Sequence, residues 1–182
     1  MAIDTYSGAG HFADDPNYEV QRSNHFEIVI DLAAIGLGSG EEYQEAIRLC
    51  CTQAGVPNIQ IQAQPLRHGN ETINVAGAPS WQSSRISVYD TIGRNMADLL
   101  QDWFWRIFDP NTHTMGLVSS YKTTASLFLF SPNAQVIRSW TLYGVFPTNL
   151  TFGDYSAEQQ GTPISIQMEL SVDKAILNTL KS

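Results

Sequence analysis

Residues 135–155 read QVIRSWTLYGVFPTNLTFGDY and are the most informative stretch of the chain. Its first half alternates with the two-residue period of a β-strand, placing Trp140 and Leu142 on one face and Tyr143 on the other. Because both faces carry bulky groups, the pattern predicts a strand that is covered on both sides. A sharp break is expected at the Phe-Pro-Thr-Asn sequence of residues 146–149.

The segments around this stretch are also strand-like. Residues 121–130 precede it and residues 163–171 follow it, and the three together predict an antiparallel meander. Residues 25–32 read HFEIVIDL, in which apolar side chains occupy one face, so they predict a half-buried strand. A β-rich core is therefore expected.

Length and charge narrow the class of protein. The 182 residues suit one domain with a sizeable core, and no apolar run is long enough to span a bilayer. The first 20 residues lack the basic start and apolar run of a secretory signal, so export is not expected. The net charge of -8 disfavours a surface that grips nucleic acid, because such surfaces neutralise phosphates, although the same acidity also serves solubility.

Residues 59–64 read IQIQAQ, a strict alternation of apolar and amide side chains. The pattern predicts that Ile59 and Ile61 enter the core while Gln60 and Gln62 face solvent. This segment begins a longer predicted hairpin.

Residues 65–77 are predicted to complete a protruding hairpin. A His-Gly-Asn turn at residues 68–70 leads into a strand in which Ile73 and Val75 face one side. A short protruding strand has little domain around it, so these apolar groups are expected to meet a partner. A hairpin folded back onto its own sheet is the alternative.

Residues 94–108 carry the one strong helical pattern. Apolar side chains recur there at spacings of three and four: Met96, Leu99, Leu100, Trp103, Phe104 and Ile107. Asn95 is predicted to cap the start, and Asp102 and Arg106 to form an i,i+4 pair. Trp105 lies opposite the apolar stripe and is predicted to contact a neighbour, since tryptophan is enriched at interfaces; an ordinary exposed aromatic is the alternative.

No residue set carries the chemistry of an enzyme. The histidines are scattered without metal-ligand spacing: His11, His25, His68 and His113. Neither a nucleophile elbow nor a phosphate-binding glycine loop is present. The two cysteines, Cys50 and Cys51, are adjacent on an expected strand and point to opposite faces, so no disulfide joins them. No catalytic, cofactor or metal site is predicted.

The order of several motifs resembles the tail tube protein of contractile-tailed bacteriophages, whose fold is shared by T-even-like tubes and type VI secretion tubes. The sequence WTLYGVFPTN at residues 140–149 is followed by Gly-Asp-Tyr-Ser at 153–156 and by a strand that ends in Val-Asp at 172–173. Earlier, INVAG occupies residues 73–77. Together these motifs span most of the chain.

That resemblance implies a mainly β fold of two packed antiparallel sheets, a sandwich or barrel, with one flanking α-helix. Six copies would form a ring, and stacked rings would form an inner tube that conducts DNA inside a contractile sheath. The partners implied are further copies, the sheath protein, and the baseplate and tail terminator proteins. The location implied is the virion tail, assembled in the bacterial host cytoplasm, without membrane insertion.

The resemblance also divides the chain into an N-terminal arm (1–23), a tube β domain (24–173) and a C-terminal tail (174–182). Within the tail, apolar residues at helical spacing indicate a short helix or docking arm. For residues 45–52 the resemblance favours a strand, whereas Glu45 and its neighbours have good helix propensity. A strand is predicted there.

Candidate assembly residues follow from these patterns. Polar strand faces opposite the expected core residues predict a lumen lined by Gln60, Gln62, Gln167 and Glu169. The resemblance implies that the N-terminal arm contacts neighbouring subunits, with Phe12 and Tyr18 as its anchors. Contacts with other subunits or the sheath are also predicted for Ile73, Val75, Trp105 and Tyr155.

Three other functions stay open at this stage. Within the same fold these are the tube of a phage-like injection or secretion system and a baseplate tube initiator. In a different class, a β-barrel ligand-binding module would hold a small apolar molecule among Trp140, Tyr143 and Phe146.

Overall fold

The computed structural model describes residues 21–37, 41–156, 161 and 163–179, and this part is mainly β, as predicted. The strands are β1 (Phe26–Ile30), β2 (Cys51–Ala54), β3 (Ile59–His68), β4 (Glu71–Trp81), β5 (Ser84–Tyr89), β6 (Phe108–Asp109), β7 (Thr114–Met115), β8 (Thr123–Phe130), β9 (Val136–Thr151), β10 (Ser165–Ser171) and β11 (Lys174–Thr179). The helices are α1 (Glu41–Cys50), α2 (Met96–Trp105) and α3 (Val118–Tyr121).

Strand β9 is shared by two antiparallel sheets. As far as Val145 it pairs with β8 on one side and β11 on the other, and from Phe146 onward it pairs with β10. Strand β1 extends the first sheet beyond β8, and β5 and β2 extend the second beyond β10. The outermost strands of this path, β1 and β2, come into contact, so the two sheets curve towards a barrel.

A β-bulge at Gly144 turns β9 from one sheet into the other. Leu142 pairs with Ala125, but Thr123 pairs with Val145, so β9 carries one residue more than β8 between these pairs. The backbone of Gly144 has a φ of 65°, and the extra residue places both Leu142 and Val145 in the core. The predicted alternation, which put these two side chains on opposite faces, is therefore wrong beyond the bulge.

The predicted break at residues 146–149 is also wrong, because β9 continues to Thr151. A second register shift occurs here instead: Asn149 pairs with Glu169, and Pro147 pairs with Leu170. Proline is tolerated at bulges and sheet edges, and among the described strands this part of β9 pairs on one side only.

A single apolar core lies between the two sheets and the helices. Its most deeply buried large side chains are Ile28, Ile30, Leu32, Ile47, Ile86, Met96, Leu100, Trp103, Leu127, Leu142, Ile166 and Met168. Strands of both sheets and helices α1 and α2 contribute to it.

Helix α2 confirms the helical pattern, with shorter bounds than predicted. Asn95 precedes its first residue, but the Asn95 side chain bonds to the Asp98 carboxylate rather than to the backbone. The Asp90 carboxylate accepts a hydrogen bond from the Ala97 N–H instead (3.3 Å). Near the other end, the guanidinium of Arg106 donates to the carbonyl of Gly36 (2.8 Å) and to that of Ile35, which ties α2 to the loop after β1.

The strand predicted at residues 45–52 is wrong over most of its length, because α1 continues to Cys50 and β2 begins only at Cys51. One face of the helix buries Ala46 and Ile47 in the core, and this packing adds to the favourable helix propensities of the segment. Both cysteines are free, and burial raises the pKa of the Cys51 thiol to about 11.

The short helix considered for the C-terminal tail is a strand. Strand β11 runs antiparallel to β9, with Lys174 opposite Tyr143 and Thr179 opposite Arg138. Pairing with a long neighbouring strand outweighs the helical spacing of the apolar residues. The predicted domain boundaries stay predictions, and residues 1–20 of the predicted arm (1–23) lie outside the described part.

Candidate assembly surfaces

The hairpin of β3 and β4 leaves the body of the domain. Among the described strands these two pair only with each other, from Ile59 opposite Trp81 to His68 opposite Glu71. Strand β3 has ten residues, all exposed, so it extends over about 33 Å. A two-residue turn closes the hairpin, with Gly69 at a φ of 64°. The structure confirms a protruding hairpin, whose second strand ends at Trp81.

The free end of this hairpin carries three apolar side chains on one face. Leu66 pairs with Ile73, and Gln64, two residues before Leu66 in β3, pairs with Val75. Paired residues and residues two apart share a face, so Leu66, Ile73 and Val75 lie side by side. All three are exposed. We refer to Leu66, Ile73 and Val75 as the tip patch; sequence analysis identified the last two and missed Leu66.

The opposite face of the hairpin carries apolar groups near its base. Ile59 and Ile61 are 53% and 55% exposed, so their predicted place in the core is wrong. The alternation itself is present, but the strand has no sheet behind it to receive the apolar face. Gln60 and Gln62 are exposed as predicted, on the face that also carries the tip patch.

The other two predicted lumen residues lie on the outer face of the second sheet. Ile166 and Met168 are fully buried, and Gln167 between them is exposed. Glu169 is partly covered because its carboxylate binds the guanidinium of Arg85 on β5 (2.6 Å). The structure therefore does not bring the two pairs of candidates together: one is on the hairpin and one is on the sheet. Their lining of a lumen stays a prediction.

The two neighbouring tryptophans of α2 lie in opposite environments. Trp103 is 0% exposed, and its indole N–H donates to the carbonyl of Tyr121 (2.8 Å). Trp105 is 45% exposed, as the helical pattern predicts. An interface role for Trp105 stays a prediction.

Trp105 is followed in the chain by four further exposed apolar side chains that sequence analysis missed. The short strands β6 and β7 set Phe108 opposite Met115, and Leu117 and Val118 follow directly. All five side chains are exposed, Leu117 to 77%. We refer to Trp105, Phe108, Met115, Leu117 and Val118 as the 105–118 patch. The signal in the sequence is the run Met-Gly-Leu-Val, which is apolar although it lies in a loop.

The remaining predicted interface residues are separate from these two patches. Tyr155 follows β9 and is 80% exposed. Phe12 and Tyr18 lie outside the described residues, and their predicted contacts stay predictions.

The aromatic side chains proposed for a ligand cavity do not converge. Trp140 packs against the core, whereas Tyr143 is exposed. Phe146 instead meets Tyr121 edge to face (5.5 Å between ring centroids) and the ammonium of Lys122 (5.3 Å). Within the described part, no group of three or more acidic, histidine or cysteine side chains has the arrangement of a metal site. In that same part, no helix has the length and apolar character needed to cross a membrane.

Comparisons with known proteins find similarity in solved structures alone, since no protein-family model and no curated protein matches the chain. A chain of the anti-feeding prophage cap, described as a tube-terminating cap, is similar with a TM-score of 0.65 and 20% identity, covering 99% of this chain and 100% of that one. A chain of the PVC sheath–tube complex, an extracellular contractile injection system in the extended state, has a TM-score of 0.62, 16% identity and coverage of 96% and 100%.

A third similar structure is that of the SPP1 tail tube, with a TM-score of 0.57, 8% identity and coverage of 90% and 81%. All three likenesses extend over most of both chains, and sequence identity this low is informative about architecture alone. The chain has a tail-tube-like fold.

Proposed function

We propose that this protein is a structural subunit of a tail tube, in which six copies form a ring and rings stack into a tube inside a contractile sheath. The single observation that carries the proposal is the β3–β4 hairpin with apolar side chains exposed on both faces. The tube-like fold supports the same role, which is structural rather than catalytic.

The hairpin argues for assembly because of its energetics. A two-stranded hairpin with no further strand and no covering helix is at best marginally stable in water. Its exposed strand edges and apolar groups favour pairing with another chain. A neighbouring ring supplies both an edge and an apolar surface, so we propose that the hairpin joins successive rings.

Further partners follow from the same role. We propose contacts with the sheath, the baseplate and a tail terminator, and a location in the virion tail after assembly in the host cytoplasm. The similarity to a tube-terminating cap favours a second candidate, in which the chain closes the end of the tube of an injection system. Stacks many rings long support the tube role, whereas single rings that bind only at tube ends support the cap.

Shortening the hairpin tests the proposed connection between rings. Replacing residues 66–71 by Asn-Gly is expected to preserve the fold, because the hairpin lies outside the core, but to stop long tubes from forming. Circular dichroism measures the fold, and negative-stain microscopy measures tube length. The control combines Gly69→Asn with Asn70→Gly, which keeps the length and the tip patch. Normal tubes from the shortened protein would remove the hairpin from this role.

The proposed cargo, DNA, is expected to pass without being retained. The chain has a net charge of -8, and on the outer face of the second sheet Arg85 is already neutralised by Glu169. A mobility-shift assay at low salt should show no retained duplex. Gln167→Lys should increase retention by assembled tubes if that face lines the lumen, whereas Glu45→Gln on α1, which also raises the net charge by one, is the control for a different face. Tight binding by the unmodified protein would contradict the prediction.

A further inference from the structure

Residues 91–95, which connect β5 to α2, combine three unfavourable features. Ile92 is 107% exposed, more than any other large apolar side chain of the described residues. The hydroxyl oxygen of Thr91 is buried, and no hydrogen-bond partner for it is found in the described part of the chain. Asn95 has a φ of 44° and a ψ of 65°, in the left-handed region. Each feature costs free energy, and the three lie within five residues.

The segment is one helical turn, separated from α2 by a single residue. The N–H of Asn95 donates to the carbonyl of Thr91 (2.8 Å), and the N–H of Leu99 donates to the carbonyl of Asn95 (3.3 Å). Both are the four-residue hydrogen bonds of an α-helix. Helix α2 nevertheless begins at Met96, because the left-handed backbone of Asn95 interrupts it. With helical dihedrals at Asn95, α2 would begin at Ile92.

Ile92 has the spacing of the buried stripe of α2. It precedes Met96 by four residues, Leu99 by seven and Trp103 by eleven, and all three of these side chains are buried. Residues at such spacings share one face of a helix. In a lengthened α2, Ile92 would therefore lie on the face that the helix already buries.

A groove of about 210 Å³ lies between α1 and the same segment. Its walls include Ala46, Leu49 and Cys50 of α1 and Thr91, Gly93 and Arg94. Leu49 is 71% exposed, so an apolar wall of the groove is open to solvent. A branched aliphatic side chain fits a groove of this size and lining.

We propose that residues 91–95 are a hinge with two states: the open state that the structure describes, and a closed state in which α2 begins at Ile92. On closing, Asn95 enters the helical region, and the side chain of Ile92 moves from solvent into the groove beside α1. The Thr91 hydroxyl becomes the N-cap and accepts a hydrogen bond from the N–H of Gly93 or Arg94. One local change thus removes all three unfavourable features. The hinge is independent of the proposed tube function and decides whether this surface presents an exposed isoleucine.

Two hydrogen bonds hold the open state. The Asp90 carboxylate accepts one from the N–H of Ala97 (3.3 Å), and the Asp98 carboxylate accepts one from the Asn95 amide. On closing, the N–H of Ala97 bonds instead to the carbonyl of Gly93, four residues earlier. Asparagine also tolerates the left-handed region better than most residues other than glycine. The two states therefore exchange one set of bonds for another, as a hinge requires.

Disulfide trapping tests the closed state, because Cys50 lines the groove. Ile92→Cys in a Cys51→Ser background is oxidised with glutathione disulfide, and the bond within one chain is measured by mass spectrometry. A disulfide between Cys50 and the introduced thiol is expected. Asn95→Ala should raise its rate of formation by about tenfold, and Asn95→Gly should lower it, because alanine favours the helix and glycine the left-handed region.

Arg94→Cys is the matched control. Residue 94 lines the groove in the open state, and in the closed helix it is turned by about 200° from residue 92. Its disulfide with Cys50 should therefore not form faster when Asn95→Ala is added. The hinge would be overturned by a rise at both positions, by no rise at either, or by no disulfide from Ile92→Cys.

The proposed N-cap is tested at Thr91. Thr91→Val keeps the shape of the side chain but removes the hydroxyl, so it should slow the trapping of Ile92→Cys by roughly fivefold. Thr91→Ser keeps the hydroxyl and should trap at the parent rate. Thermal melts check that both variants are folded. A Thr91→Val variant that traps at the parent rate and melts at a higher temperature would show that the hydroxyl is only an unpaired group, and would overturn the closed state.

Discussion

Replacing Trp103 by alanine is expected to lower the free energy of unfolding by about 3 to 5 kcal/mol. The side chain lies on the buried face of α2 and is fully buried in the core, so its removal leaves a large cavity. The indole N–H also satisfies the carbonyl of Tyr121, which would lose that partner. Urea denaturation followed by tryptophan fluorescence and circular dichroism measures the loss.

Trp105→Ala is the matched control, because it removes the same side chain two residues later in the same helix. Trp105 is half-exposed, so the monomer should lose less than about 1 kcal/mol, while sedimentation should report weaker assembly. Equal destabilisation of the two monomers would show that the buried and exposed faces of α2 are wrongly assigned. An unchanged assembly of Trp105→Ala would remove this residue from the subunit contacts.

Gly144→Ala is expected to cost roughly 2 to 4 kcal/mol, because two effects act at this corner of β9. The φ of 65° is unfavourable for any residue with a Cβ. In addition, a Cβ here would lie 2.1 Å from a carboxylate oxygen of Asp173, which is bound to the ammonium of Lys122 (2.6 Å). The substitution forces this carboxylate away and strains the bulge between the two sheets.

The two contributions at Gly144 can be separated. Asp173→Ala in the Gly144→Ala background removes the obstructing carboxylate, so part of the lost stability should return, while the backbone strain persists. Gly93→Ala is the control: that glycine has open space around its Cβ position and no positive φ, and the change should be neutral or slightly stabilising. Thermal melts that give similar losses for Gly144 and Gly93 would contradict the role assigned to the bulge.

Much of the fold is predictable from local pattern. The alternating segments at residues 25–32, 121–130 and 163–171 contain strands β1, β8 and β10, and the segment with three-four spacing at residues 94–108 contains helix α2, because one face of each must be buried. At residues 41–50 the family resemblance favours a strand and the local propensities favour a helix, and the structure follows the local propensities.

The candidate surfaces are predictable to a smaller extent. Alternation identified Ile73, Val75 and the exposed Trp105, since each is defined by its own strand or helix. Alternation wrongly placed Ile59 and Ile61 in the core, because a period of two shows that a strand has an apolar face but does not show whether that face is covered. The 105–118 patch depends on the pairing of two very short strands, which carry too few residues to show a period.

The amino-acid sequence by itself determined that this chain is β-rich, with one amphipathic helix, a hairpin and a net acidic charge, because these depend on residues close together in the chain. The tertiary structure decided where β9 passes between sheets, that the C-terminal segment pairs as a strand, and that the hairpin stands outside the core. The physical reason is that burial and register depend on contacts between segments that are distant in the chain. The position of the bulge at Gly144 depends on Ala125, Thr123 and Asp173, none of which is adjacent to it in sequence.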